Sequence, residues 1–80
     1  MYYPSDFVLG YIENEDSLPN DGIKVLVYNK GEFLGGTAFD SSMPPSLLVE
    51  TIDMYAHTLE ADKVAVVLED GRRVSKKFTK

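Results

Sequence analysis

Ile23-Lys24-Val25-Leu26-Val27-Tyr28-Asn29-Lys30-Gly31 is the stretch that decides the fold. Side chains of an extended chain point alternately to opposite faces, so Ile23, Val25 and Val27 share one face of a strand. Asn29 and Gly31 tolerate the positive φ that a tight hairpin demands, and the chain must therefore turn back on itself. The returning strand is residues 32–39, with Phe33, Gly35, Thr37 and Phe39 expected on a common face. Two adjacent glycines weaken a regular ladder, so Gly35-Gly36 is expected to mark a bulge or a strong bend.

Downstream, Asp40-Ser41-Ser42-Met43-Pro44-Pro45 announces a helix: a serine can cap free amides, and proline fits a first turn whose amides have no partner within the helix. The helix is expected over residues 45–61. Leu48, Ile52, Tyr55 and Leu59, flanked by Val49 and Ala56, recur at helical spacing and form a stripe that lies on the sheet. Glu50, Asp53, His57 and Glu60 fall on the opposite side. Residues 63–69 make the most apolar strand, and Asp70-Gly71 predicts a second hairpin leading into residues 72–79. Val64, Val66 and Leu68 should join Ile23, Val25, Val27, Leu48, Ile52 and Leu59 in the core.

Upstream, residues 7–12 read two ways. Phe7, Leu9 and Tyr11 alternate as in a strand, while Phe7/Tyr11 and Val8/Ile12 are helical pairs behind a Ser5 or Asp6 cap. Gly10 favours the strand, because glycine inside a helix costs about 1 kcal/mol relative to alanine. Residues 13–22 are polar, acidic and rich in turn formers, and are expected to form a mobile surface loop. The whole predicts one small α+β domain: an antiparallel sheet of four or five strands with one helix on one face. The order is β-β-β-α-β-β, or α-β-β-α-β-β if the first element is helical. The other face is expected to be largely open, and that face or an edge strand to support a homodimer.

Eighty residues leave room for a single domain and, with only about 60% of the unfolded surface buried, for no deep enclosed site. The absence of cysteine removes disulfides, thiolate nucleophiles and thiolate metal clusters, and fits a reducing cytoplasm. The longest apolar run, residues 64–68, is far short of the ~20 residues that span a bilayer, and no signal segment opens the chain. No membrane association is expected. The net charge of −5 argues against a general nucleic-acid binder. Its distribution says more: all thirteen acids precede Gly71, whereas Arg72, Arg73, Lys76, Lys77 and Lys80 follow it with no acid among them.

His57 stands one turn after Asp53, beside Glu50 and Glu60, but no second histidine or cysteine completes a transition-metal set. Capping accounts for Ser41, Ser42 and Ser46 without a nucleophile, and Gly31, Gly35 and Gly36 sit in a hairpin and not in a phosphate-binding turn. No enzyme activity, catalytic residue, metal or cofactor is therefore expected. The expected function is a non-enzymatic protein-interaction module, a small acidic inhibitor or adaptor that meets a basic surface of another protein. Its expected contacts are Glu13, Glu15, Asp16 and Asp21, with Tyr11 and the helix acids Glu50 and Asp53. Small phage and mobile-element proteins that occupy a host enzyme's nucleic-acid groove share this composition, which is an analogy and not a match of motif. Tyr2, Tyr3, Tyr11 and Tyr28 add amphipathic contact area suited to a protein interface. The alternative is a nucleic-acid-binding protein that lays Arg72, Arg73, Lys76, Lys77 and Lys80 along phosphates. The same cations would equally protect an exposed edge strand from pairing with another chain.

Overall fold

Two residue periods, 2 along the strands and 3.6 along one helix, build a sheet with a helix laid across it. The structure is a computed structural model that describes residues 3–78. A 3-10 turn at Pro4–Phe7 leads into β1 (Val8–Ile12), followed by β2 (Ile23–Asn29), β3 (Glu32–Phe39), α1 (Pro45–Thr58), β4 (Lys63–Val67) and β5 (Arg73–Lys77). The five strands are antiparallel in the order β1-β3-β2-β4-β5, so β1 and β5 are the sheet edges. The first element is thus a strand, entered through one tight turn, and the β-β-β-α-β-β order holds. Among the described residues no helix is long and apolar enough to cross a membrane.

The β2–β3 hairpin closes through Lys30 and Gly31 at φ 52° and 81°, the two-residue turn whose twist matches that of the strands. Opposite Val27 and Tyr28 the register slips, pairing Val27 with Gly35 and Tyr28 with Phe33. The expected bulge is therefore present, but it has a consequence that simple alternation misses. The extra residue moves Phe33 to the face opposite Thr37 and Phe39, where its ring packs 5.7 Å from that of Tyr28. At the second hairpin Leu68 N–H bonds the Arg72 carbonyl at 2.8 Å and Gly71 N–H bonds the Leu68 carbonyl at 2.9 Å. Three residues, not two, make that turn.

On one face α1 covers Val25, Val27, Phe39 and Val64, with Met43, Ala56 and Ala61 buried and Leu48, Ile52, Tyr55 and Phe78 packed around them. The helix starts at Pro45 behind Pro44 without a side-chain cap; Ser42 N–H instead bonds the Asp40 carboxylate at 2.9 Å, closing a turn before it. It ends at Thr58, short of residue 61, because Glu60 takes a left-handed φ of 53°. Leu59, expected in the core, is consequently exposed, as is Val49. Thr51 takes a buried place on the helix and satisfies its hydroxyl on the Leu47 carbonyl at 2.8 Å.

The second face is not open. Ile12, Leu26, Tyr28 and Ala65 form a cluster there, with Leu26 and Ala65 at 0% exposure, and Leu18 from residues 13–22 packs against it together with Phe33 and Val67. The expected mobile loop lies across the sheet, because a face carrying leucine, tyrosine and valine gains more by excluding water than the loop loses in entropy.

Candidate functional site

Loop 13–22 is fastened at its centre and at its C-terminal end. Its centre is held by Leu18. Its C-terminal end is held at Gly22, whose N–H bonds Glu69 Oε1 at 3.2 Å and whose carbonyl accepts from Lys24 Nζ at 3.0 Å. Lys24, only 3% exposed on the second face, spends its ammonium on this backbone contact. Near the loop's start the exposed Glu15 carboxylate lies close enough to the Tyr28 hydroxyl to influence its ionisation. The Tyr28 hydroxyl accepts from Arg73 Nη2 at 2.9 Å, and the Lys63 ammonium lies 4.9 Å from the centre of the same ring. Burial raises the Tyr28 pKa above its ordinary value; the Arg73 hydrogen bond opposes the shift and the Glu15 carboxylate adds to it.

With the loop so held, Glu13, Asp16 and Asp21 stand exposed, and none has an ion-pair partner among the described residues. Between the loop and β1 lies a groove of about 810 Å³. Gly10 and Ala38 are among its small residues, Leu9, Leu18 and Pro19 supply apolar lining, and Glu13 and Asp21 supply charge. Tyr11, 78% exposed, is paired in register with Thr37, so its side chain stands on the helix-facing side of the β1 edge, away from the loop acids. Glu50 and Asp53 do not join this surface. They are exposed on α1, across the sheet from the loop, and Asp53 pairs with Lys76 at 3.6 Å.

The basic strand β5 is exposed along its whole length. Arg72 pairs with Asp70 at 2.6 Å, and Arg73, Ser75 and Lys77 stand on the second face opposite Val67, Ala65 and Lys63. Tyr3 is exposed near the start of the described chain, Tyr28 is buried, and Tyr2 and Lys80 lie outside the described residues. His57 is exposed on α1, and among the described residues no three His, Asp or Glu side chains gather as a metal site.

Leu18, Gly10 and Lys24 escape a reading by residue type. A signal for the first exists: Leu18 is the one large apolar side chain in residues 13–22, a position hard to explain in a loop that touches nothing. Fold and site together define a small α+β domain with an acidic loop folded onto its sheet. Comparison with family models, curated proteins and solved structures finds no match to this chain.

Proposed function

We propose that the protein is a non-enzymatic protein-binding module, a small acidic inhibitor or adaptor that presents loop 13–22 to a basic surface of a partner protein. The observation behind this reading is that Leu18 is seated on the sheet while Glu13, Asp16 and Asp21 remain in water without ion pairs among the described residues. A loop already held loses little conformational freedom on binding. Carboxylates of one sign also accelerate encounter with a cationic surface. The reducing cytoplasm is the compartment that suits a chain without cysteine. Capture of partners from a native lysate tests the reading. A specific partner should be held at low salt, released at high salt, and lost with Glu13→Lys plus Asp16→Lys while the thermal melt is unchanged. A partner indifferent to both salt and charge reversal sinks the proposal.

One observation favours a second reading, in which β5 meets nucleic acid. Lys63 and Lys77 are directly opposite in register with no carboxylate paired to either among the described residues, a like-charge arrangement that an intervening phosphate would relieve. Gel shifts with single-stranded and duplex probes at low salt decide it, using Lys76→Ala with Lys77→Ala because Arg73 also holds Tyr28. Binding that survives the double substitution, or no shift at all, removes this reading.

A further inference from the structure

Two glycines on the second face leave space that is used differently. A Cβ on Gly36 would meet Leu26 Cδ2 at 3.0 Å and Ile12 Cβ at 3.3 Å, so the protein's own core fills the room that this glycine leaves. A Cβ on Gly10 would meet nothing within 4 Å. Gly10 is paired with Ala38 and both line the groove, so the empty space is the groove's floor, on the second face over β1 and β3. Glycine inside a strand weakens it, and often marks a place where another molecule approaches closely. The walls are Leu9, Leu18 and Pro19, and Leu9 leaves apolar surface in water at 53% exposure. Acids bracket the groove. Glu13 follows Ile12 at one end, and Asp21 adjoins Gly22, which abuts the Leu9 side chain, at the other. Both are exposed, with no ion pair among the described residues.

We propose that this groove is an anchor pocket for one large apolar side chain of a partner protein, carried between lysine or arginine residues. This rests on the protein-binding reading above and names the feature of the basic surface that the loop recognises. The apolar side chain leaves water for Leu9, Leu18 and Pro19 above Gly10 and Ala38, and supplies most of the affinity. A charge seated on that floor would find no partner there, so the cations belong at the rim, with Glu13 and Asp21. The same acids exclude an acidic guest. At ~3.3 Å per residue Leu9 and Glu13 are about 13 Å apart along an extended chain, which sets the spacing of the two cations. The protein's own Phe78 stands between Lys77 and Lys80 in sequence, but it packs against the helix-side cluster, so a second copy does not offer it as the anchor.

The test uses the full chain and the blocked peptide Lys-Gly-Phe-Gly-Lys, whose lysines stand about 13 Å apart on one side of an extended backbone with the ring between them. Counterparts carry Ala for Phe, or Glu for both Lys. Titration followed by amide NMR reads affinity and place. The Phe and Lys peptide is expected to shift the amides of residues 10, 18 and 38 and to bind about tenfold or more tightly than its Ala counterpart, while the Glu counterpart does not bind. Gly10→Leu puts a side chain into the groove and should weaken the peptide by about tenfold or more with the thermal melt unchanged. Glu13→Lys with Asp21→Lys should transfer the preference to the Glu and Phe peptide, a readout that an unfolded variant cannot give, and it carries the test where Gly10→Leu fails to fold. No binding by the Phe and Lys peptide, shifts that miss residues 10, 18 and 38, or equal binding to folded Gly10→Leu overturns the proposal. Equal binding by the Ala peptide overturns it too, and leaves the acidic-loop reading standing. Tighter binding by free 2-phenylethylamine overturns the choice of a protein guest, and self-association by sedimentation that Gly10→Leu abolishes overturns it in favour of a second copy. In the lysate assay, a partner lost by the Glu13/Asp16 reversal but kept by Gly10→Leu leaves the acidic-loop reading standing and removes the anchor pocket. A partner kept by both removes the acidic-loop reading itself.

Discussion

Arg73 on the exposed edge strand donates a 2.9 Å hydrogen bond to the hydroxyl of Tyr28, a buried ring of the second face, and so joins the basic edge to the apolar cluster on which Leu18 of the loop packs. Arg73→Ala should therefore lower stability by about 1 kcal/mol, below the usual range for a charged donor because the guanidinium is largely in water. Urea unfolding checks this. A neutral result means that the contact is not held in solution, and that Arg73 is free for a ligand.

Tyr28 gives a pH prediction. Its folded pKa lies above the ordinary value because burial penalises the phenolate. The folded state thus holds the proton more tightly than the unfolded one, so this contribution to stability is complete below the ordinary tyrosine pKa of about 10 and is lost as pH rises through the folded value. Phenolate absorbance on alkaline titration should show one tyrosine ionising later than a free tyrosine. Arg73→Ala should delay it further, because the guanidinium favours the charged form.

Cover by the loop makes the second face as costly to damage as the first. Leu26→Ala, at a site with no exposure, should cost ~2 to 5 kcal/mol, the range for a leucine deleted from a core, whereas an open face would lose far less. Leu18→Ala should cost about 1 kcal/mol and raise amide exchange selectively in residues 13–22. Uniform exchange across the chain in that variant would mean that the loop and the sheet open as one unit.

Gly22 is the loop's fixed end. It sits at φ 80°, and a Cβ there would strike the Phe39 carbonyl oxygen and lie 2.8 Å from the Leu9 side chain. Gly22→Ala should destabilise by more than ~2 kcal/mol, read as a lowered melting temperature, since both backbone conformation and space oppose it. Asp21→Ala, next to it but exposed, should stay within ~0.5 kcal/mol.

How far these features were legible in the chain depends on how far apart the interacting residues are. Strands β2, β3 and β4 and the helix follow from period and turn chemistry, because alternation and i, i+4 spacing are local properties of the backbone. The bulge was visible as Gly35-Gly36, yet its effect on Phe33 was not, since a register shift is decided by the partner strand. Leu59 and the helix end depended on where Glu60 turned the chain. Asp53 and Glu50 looked like companions of the loop acids only because charge carries no address.

By itself the sequence determined the order of elements, the acidic body with its basic last strand, and the absence of any cysteine chemistry. The tertiary structure decided that residues 13–22 fold over the second face, that Lys24 is buried beneath their end, and that a groove opens beside them over β1 and β3. The physical reason is that strand order and loop docking are set by apolar area brought together from distant parts of the chain. Leu18 gains by leaving water only once Ile12, Leu26, Tyr28 and Ala65 have been assembled beneath it.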